Sequence, residues 1–389
     1  MATRATPPLL KRLNERTVLE AIRTGAPISR AEISRRAGIS KPTVSIALQS
    51  LVDAGLVREA LPDPGRPSYG AVFFEPVADA ALVLGLDVGA RFLRGALCDL
   101  RGTVRARQDV ELRDPEAEDV VEATGRLRDA LVVAADLPDA RIDGVVVGVP
   151  GVVDRESDTV HLTHFESLEG RPLGADLGEL LGLPVTLEND INLAALGEQW
   201  QGVARGVDNF VFLSIGTGLG AGLVLRGELH RGRNGAAGEV DFALAALGEE
   251  LDPCASAVSA LAERLASGNG RRTSLEAPFE PRRIFSAARA GDELALEVVA
   301  ETARRIALHI VPIAAVADVE LVVLGGGLGA NGDLLLEPVR TLLAGWLPYP
   351  PGVVVSSLGD AAVLSGALAV GLRSALDNVF DRRERLVAG

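Results

Sequence analysis

Twice in this chain, about 130 residues apart, a hydrophobic run enters a glycine-bearing turn and leaves as a second hydrophobic run. The first is Leu82-Val83-Leu84-Gly85-Leu86-Asp87-Val88-Gly89, followed by Phe92 to Cys98. The second runs from Phe210 to Ile215, turns through Gly216-Thr217-Gly218-Leu219-Gly220, and continues to Leu225. Short apolar runs bounded by glycine predict buried strands, and their repetition predicts two similar lobes. A third glycine run, Gly325 to Gly329, follows the strand-like Leu321-Val322-Val323-Leu324. None ends in the Gly-Lys-Ser/Thr of a Walker loop. None has the strand–GxGxxG–helix context, with a downstream acid, of a dinucleotide site. Such turns can present backbone N–H groups to a phosphate, although Asp-x-Gly is also ordinary turn chemistry.

Between the two hairpins lie Val145 to Asp154, a buried strand with a tight turn at Pro150-Gly151, and Leu183 to Asn192, a strand ending in Glu188-Asn189-Asp190. An amide beside a carboxylate suits vicinal hydroxyls, because Asn donates and accepts while Asp accepts twice. Asn and Asp are also favoured helix caps, so the pair can equally start a helix over Ile191–Gln199. Gly235-Ala236-Ala237-Gly238-Glu239 sets another carboxylate behind glycines. His161, His164, His230 and His309 show no ligand spacing.

The first 76 residues have a different texture. Residues 9–24 place Leu10, Leu13, Val18 and Ile22 at helical spacing, and Gly25-Ala26-Pro27 stops that helix. Ser29 caps a second helix with Glu32 at capping-box spacing, and Ala31, Ile33 and Ala37 form its inner face. Gly38 turns the chain, Ser40 caps a third helix from Lys41 to Leu51, and Pro42 sits in its first turn. Val44, Ala47, Leu48 and Leu51 face inward on that helix; Lys41, Thr43, Ser45 and Gln49 form the polar face. Helix, short glycine turn, helix is the DNA-binding arrangement, with the third helix entering the major groove. Leu56 to Glu59 and Tyr69 to Phe74 predict a hairpin wing with Arg66 at its tip, suited to a narrow A/T-rich minor groove. Ser40, Lys41, Thr43, Ser45, Gln49 and Arg66 are therefore the candidate DNA contacts.

Charge agrees with that division. The chain as a whole carries −14, yet residues 1–72 hold 11 Lys/Arg against 6 Asp/Glu and the remainder 28 against 47. A basic module on an acidic body is what phosphate contact at one end requires. Two cysteines, Cys98 and Cys254, cannot build a disulfide framework, which predicts a reducing cytoplasm. No run of 18 uninterrupted apolar residues occurs, so no membrane partner is expected, and no secretory signal is read at the N-terminus.

The ordered set LGLDVGA, VPGVVD, ENDINLAALGE, IGTGLGAG, GAAGEVDF and VLGGGLG, with GRPSYG ahead of it, resembles the ROK family over roughly residues 10–375. The likeness is to its sugar-responsive repressor branch, which includes the N-acetylglucosamine and xylose repressors; the kinase branch lacks the basic module. The resemblance implies a winged helix-turn-helix over residues 1–76. Behind it, residues 77–389 would form a two-lobed actin-like, hexokinase-like body, with lobes at 77–195 plus the C-terminal helix and at 196–360. It implies a sugar held by Asn189, Asp190 and Glu239, with Gly151 and Thr163 near it and His164 close by. Asp190 stands where the kinases have their base.

Departures from the family pattern bear on activity. The kinase phosphate hairpin reads Asp-x-Gly-Gly-Thr, but here Ala90 and Arg91 follow Gly89. Phe242 replaces a zinc-ligand histidine that also contacts sugar, Cys254 remains of the family's cysteine cluster, and a further family glutamate just after that cluster is missing, with Ser256 near its position. A structural zinc needs about four ligands, so no metal and no cofactor are expected. The expected function is a DNA-binding regulator, a homodimer or homotetramer on a palindromic double-stranded operator, sensing a sugar and not acting as an enzyme. The alternatives are a sugar kinase with an accessory DNA-binding domain, or a body retained for dimerisation or protein contacts.

Overall fold

The computed structural model describes residues 7–60, 71–89, 91–112, 117–137, 142–163, 165–166, 168–242, 251–268 and 272–388. At its N-terminal end, helices α1 (Pro7–Gly25), α2 (Arg30–Ala37) and α3 (Lys41–Asp53) pack together beside a small antiparallel sheet. The sheet comprises β1 (Ile28–Ser29), β2 (Val57–Glu59) and β3 (Phe73–Pro76), in the order β1-β3-β2. Local chemistry sets the boundaries. The Ser29 hydroxyl accepts from Glu32 N–H at 3.3 Å, and Gly38 ends α2 in the left-handed region at φ 65°. The Glu32 carboxylate is engaged by Arg35 and Arg36, so it is the Ser29 arm of the capping box that is built.

Three expectations for this module shift. In α1 the inner face is Val18, Leu19 and Ile22 with buried Glu15, whereas Leu10 and Leu13 are exposed. At 100° per residue, positions 15, 18, 19 and 22 share one face, and Leu10 and Leu13 fall out of phase with it. In α2, Ile33 is buried but Ala31 is exposed. The returning strand begins at Phe73 and includes Glu75 and Pro76, and the wing tip with Arg66 lies outside the described residues.

Behind the module stand two five-stranded sheets of one topology. The first has β4 (Leu82–Val88), β5 (Phe92–Asp99), β6 (Val104–Glu111), β7 (Ile142–Val149) and β10 (Val185–Asn189), in the order β10-β7-β4-β5-β6. The second has β11 (Phe210–Ile215), β12 (Leu219–Leu225), β13 (Glu228–His230), β14 (Leu321–Gly325) and β15 (Gly352–Val355), in the order β13-β12-β11-β14-β15. Each is an antiparallel meander of three strands extended by two parallel strands. The duplication read from the two hairpins thus extends to the whole sheet. A small hairpin of β8 (Val152–Asp154) and β9 (Thr159–His161) follows β7.

Helices cover both sheets. α4 (Ala117–Ala134) and α5 (Leu173–Leu181) pack on the first; Ala255–Ala266, Pro281–Arg289, Glu293–Ala317 and Gly332–Trp346 build the core of the second. Between the sheets lies α6 (Asp190–Gln201), paired along its length with the C-terminal helix Ala362–Ala388. Their backbones nearly touch. A Cβ at Gly366 would sit 1.8 Å from the Leu193 carbonyl oxygen, and one at Gly197 would sit 2.2 Å from that of Ala362. Glu198 on α6 is fully buried and accepts from Ser356 Oγ, Leu358 N–H at 3.3 Å and Val203 N–H at 2.8 Å, tying α6 to the segment after β15.

The segment Gly359–Val379 is by length and composition apolar enough to cross a membrane. Here Leu364, Leu368, Leu372 and Ala375 are buried in a core shared with the N-terminal module, so its composition is that of a core helix. That core joins Val18, Leu19 and Ile22 of α1 to Val83, Ala96 and Cys98 of the first sheet. Arg16 pairs with Asp377, and the Arg23 guanidinium lies 5.5 Å from the Trp200 ring centroid. The N-terminal module is thus packed onto the same helix that packs against α6.

Candidate functional site

On α3, the Ser40 hydroxyl accepts from Thr43 N–H at 3.4 Å and lies 2.8 Å from Thr43 Oγ1. Ser45 Oγ donates to the Lys41 carbonyl at 3.0 Å, and Gln49 Nε2 donates to Asp53 Oδ1 at 2.8 Å. Lys41 and Gln49 are exposed, Thr43 and Ser45 half-buried, and Val44, Ala47, Leu48 and Leu51 form the inner face. One exposed residue escaped the sequence reading: Ile46, 67% exposed, projects from the outer side between Pro42 and Gln49. An exposed β-branched side chain four residues after Pro42 was the available signal. The helix is electrically polarised, with Lys41 at its N-terminus, where the backbone N–H groups also converge, and Asp53 in its last turn. The stem of the wing is a true ladder, with Arg58 Nε donating to Glu75 Oε1 at 2.8 Å.

The second site is a cleft of about 870 Å³ between the two sheets. One wall carries Pro150, Gly151, Asn189 and Asp190; the other carries Ser214, the glycine turn Gly216–Gly220, and Glu239. Its far end is formed by Arg282, Arg289, Gly326, Gly327 and Asn331. Of the five ligand candidates, four line this cleft. Thr163 does not: it sits behind Gly151, its backbone N–H donates to Glu169 Oε2 at 3.3 Å, and Leu162 takes the lining position. His161 is spent within its own hairpin, between Thr159 Oγ1 and Glu169 Oε1, both at 2.9 Å. His164 lies outside the described residues.

Of the two roles that the sequence left open, Asn189 is seen in the capping one, with hydrogen-bonding capacity to spare for the other. Its side-chain oxygen caps α6 by accepting Asn192 N–H at 2.9 Å, and its Nδ2 donates to the Gly151 carbonyl at 2.9 Å. One amide hydrogen and one lone pair remain for a ligand. Asp190 opens α6 and receives Ile191 N–H at 2.9 Å. Burial, reinforced by the charges of Asp87 and Glu239, raises its carboxyl to about 7 despite that hydrogen bond. Asp87 is also raised, first by burial, against the pull of Arg94 at 3.1 Å. A carboxyl poised near neutrality can accept or donate to a hydroxyl.

Directly behind Asn189, buried Glu188 accepts from Arg231 Nε at 2.7 Å, Asn192 Nδ2 at 3.0 Å and Asn189 N–H at 3.1 Å. The sequence reading missed Arg231, which stands 43 positions from its partner.

The departures noted in the sequence also have positions here. Arg91 pairs with Glu111 at 2.9 Å, lies over the Phe92 ring and is not among the residues that line the cleft; Ala90 lies outside the described residues. Phe242 is exposed, and burial pushes the Cys254 thiol up. Among the described residues, no group of three or more His, Cys, Asp or Glu side chains is placed to hold a metal. The Leu251–Cys254 segment is held by buried Arg305, which donates to the Asp252 carbonyl at 2.7 Å, and by His309, 3.3 Å from the Leu251 carbonyl.

The ROK family profile matches residues 83–373, and the MarR family profile matches residues 10–67. A xylose repressor of Caldicellulosiruptor bescii is 28% identical, covering 93% of this chain and 96% of its own. A glucokinase of Streptomyces coelicolor is 30% identical, covering 74% of this chain and 96% of its own. A crystal structure described as a ROK family transcriptional regulator, a homologue of the E. coli MLC protein, superposes with a TM-score of 0.78. That superposition covers 95% of this chain and 98% of that one at 22% identity, a likeness of fold.

Proposed function

The chain belongs to the ROK family, and on that premise we propose that it is a DNA-binding transcriptional repressor whose ROK body binds a sugar in the inter-lobe cleft. The observation that carries this reading is a Ser-capped helix with an open outer face, in a winged module built onto the body. Two further observations support it. The relative named a repressor aligns along nearly the whole chain, whereas the relative named a glucokinase covers 74% of it. The cleft keeps Asn189, Asp190 and Glu239, chemistry suited to hydroxyls. We take residues 1–76 as the DNA-binding unit and residues 77–389 as the sensor and oligomerisation unit. The protein would act in the cytoplasm, as a homodimer or homotetramer, on a palindromic operator of double-stranded DNA.

Selection from a random duplex library, followed by anisotropy titration with and without D-xylose, D-glucose and N-acetylglucosamine, tests this. Specific binding should be lost on deleting residues 1–72, and Asp190→Ala should keep operator binding while losing the sugar response. Absence of any sequence preference in the full chain would sink the DNA reading.

A kinase reading is favoured by one feature, Asp190 poised near neutrality beside the Gly216–Gly220 turn. Arg91, engaged by Glu111, weighs against it, because phosphoryl transfer depends on groups that position and neutralise the phosphates. We therefore propose that the protein is not an enzyme. Sugar-dependent ADP formation that vanishes in Asp190→Ala would reverse that conclusion.

A further inference from the structure

The cleft walls come from different sheets, so a ligand touching both requires those walls to be held in register. Asn189 and Asp190 follow Glu188 at the end of β10, in the first sheet. Glu239 arrives on the segment that leaves β13, in the second. That segment begins at Arg231, whose carbonyl accepts Ala237 N–H at 3.1 Å and closes the loop. The loop is wedged on both sides. A Cβ at Gly235 would lie 2.8 Å from the Val153 carbonyl oxygen of β8, and one at Gly238 would lie 1.8 Å from that of Ala221 in β12. Gly238 also has φ 104°, a conformation that side chains disfavour, so the loop fits in this form because it is glycine there.

Across this wedge runs the Arg231–Glu188 ion pair, 2.7 Å long, with the Glu188 side chain almost entirely buried. Burying such a pair gains little stability over apolar packing, but removing one partner strands a charge. Its geometry makes sense as a positioning device: the same carboxylate also holds the Asn189 backbone and the Asn192 side chain. We infer that Arg231 is a positioning residue for the effector, registering the Glu239 loop against Asn189 and Asp190 through Glu188. The inference rests on the proposed sugar site. Arg231 lines no part of the described cleft itself and acts through its partner.

The test is a double-mutant cycle in the full-length protein, comparing wild type, Arg231→Met, Glu188→Gln and the double variant. Calorimetric titration with D-xylose and D-glucose is read alongside operator affinity in the absence of sugar. Each single variant should weaken sugar binding about tenfold or more, and the double variant should be no worse than either, because one interaction is removed in all three. Operator affinity without sugar should stay within about twofold. Arg231→Lys, which keeps the cation but not the planar fork, should recover part of the loss and decides the matter if Arg231→Met does not fold. Unchanged sugar affinity in the variants, additive losses, or an equal loss of operator affinity would overturn the inference. If the wild type binds neither these sugars nor N-acetylglucosamine, the cleft reading fails, and this inference with it; wild-type binding indifferent to Arg231 fells the inference alone.

Discussion

Replacing Gly366 by alanine should destabilise the fold, while the same replacement at Gly345 should not. Both glycines lie in helices, so both substitutions gain up to about 1 kcal/mol of helix propensity. Their surroundings are opposite. At Gly345 nothing lies within 4 Å of the new Cβ. At Gly366 the Cβ falls 1.8 Å from the Leu193 carbonyl oxygen and 2.6 Å from its carbon, atoms of the α6 backbone with no rotamer to yield. Restoring an ordinary carbon–oxygen approach of about 3.3 Å moves the two helices apart by about 1.5 Å. That shift works against tightly packed Gly197 on the same seam and against the core beneath α1. Overpacking of this kind costs about 1–3 kcal/mol, and a backbone collision belongs at the upper end. After the propensity gain, Gly366→Ala should lose about 2 kcal/mol and Gly345→Ala should gain up to about 1 kcal/mol. Urea titration of wild type and both variants, compared by transition midpoint at equal slope, measures the difference. A Gly366→Ala protein as stable as Gly345→Ala would refute the close helix seam and the argument built on it.

Other consequences follow from single residues. Asp190 has a folded-state value of about 7, above its ordinary 3.8, so its contribution to stability is fully present below about pH 4 and is lost as pH rises toward 7. Asp190→Asn should accordingly gain on wild type over that window by up to about 1.4 kcal/mol per pH unit in thermal melts, then run parallel above it; a flat difference would contradict the buried carboxyl. Glu198→Ala leaves the Val203, Leu358 and Ser356 donors without their acceptor and should cost about 3 kcal/mol or more, with Glu198→Gln milder; equal stability of both with wild type in urea would remove Glu198 as a tie between α6 and β15. If α3 lies in the major groove, exposed Ile46 should meet a thymine methyl, and replacing operator thymines one at a time by deoxyuridine should weaken wild type about fourfold at one position but leave Ile46→Ser indifferent. Equal sensitivity of the two proteins at every position would exclude that contact.

Much of the site was legible before the fold, and the reason is locality. Ser29, Gly38 and Ser40 mark helix ends because capping acts over three or four residues of one segment. The hairpins at Gly89 and Gly216 were visible because continuous apolar runs and turn glycines lie side by side in the chain. Asn189 and Asp190 stood out as polar groups at the end of a buried run and Glu239 as a carboxylate behind glycines, and all three reach one cleft.

What the sequence by itself determined, then, is the three N-terminal helices with their caps, the two glycine hairpins, and the Asn189-Asp190 pair that opens α6. The mismatch of Leu10 and Leu13 was a matter of helical phase, but that Val18, Leu19 and Ile22 pack into a core shared with the C-terminal helix was decided by the tertiary structure. The displacement of Thr163 by Leu162, and the pairing of Glu188 with Arg231, likewise depend on how hairpin and lobes close over one another. The Glu188–Arg231 and Arg16–Asp377 pairs join residues 43 and 361 positions apart. Each is fixed by packing many side chains at once, a constraint that no local pattern of residue types encodes.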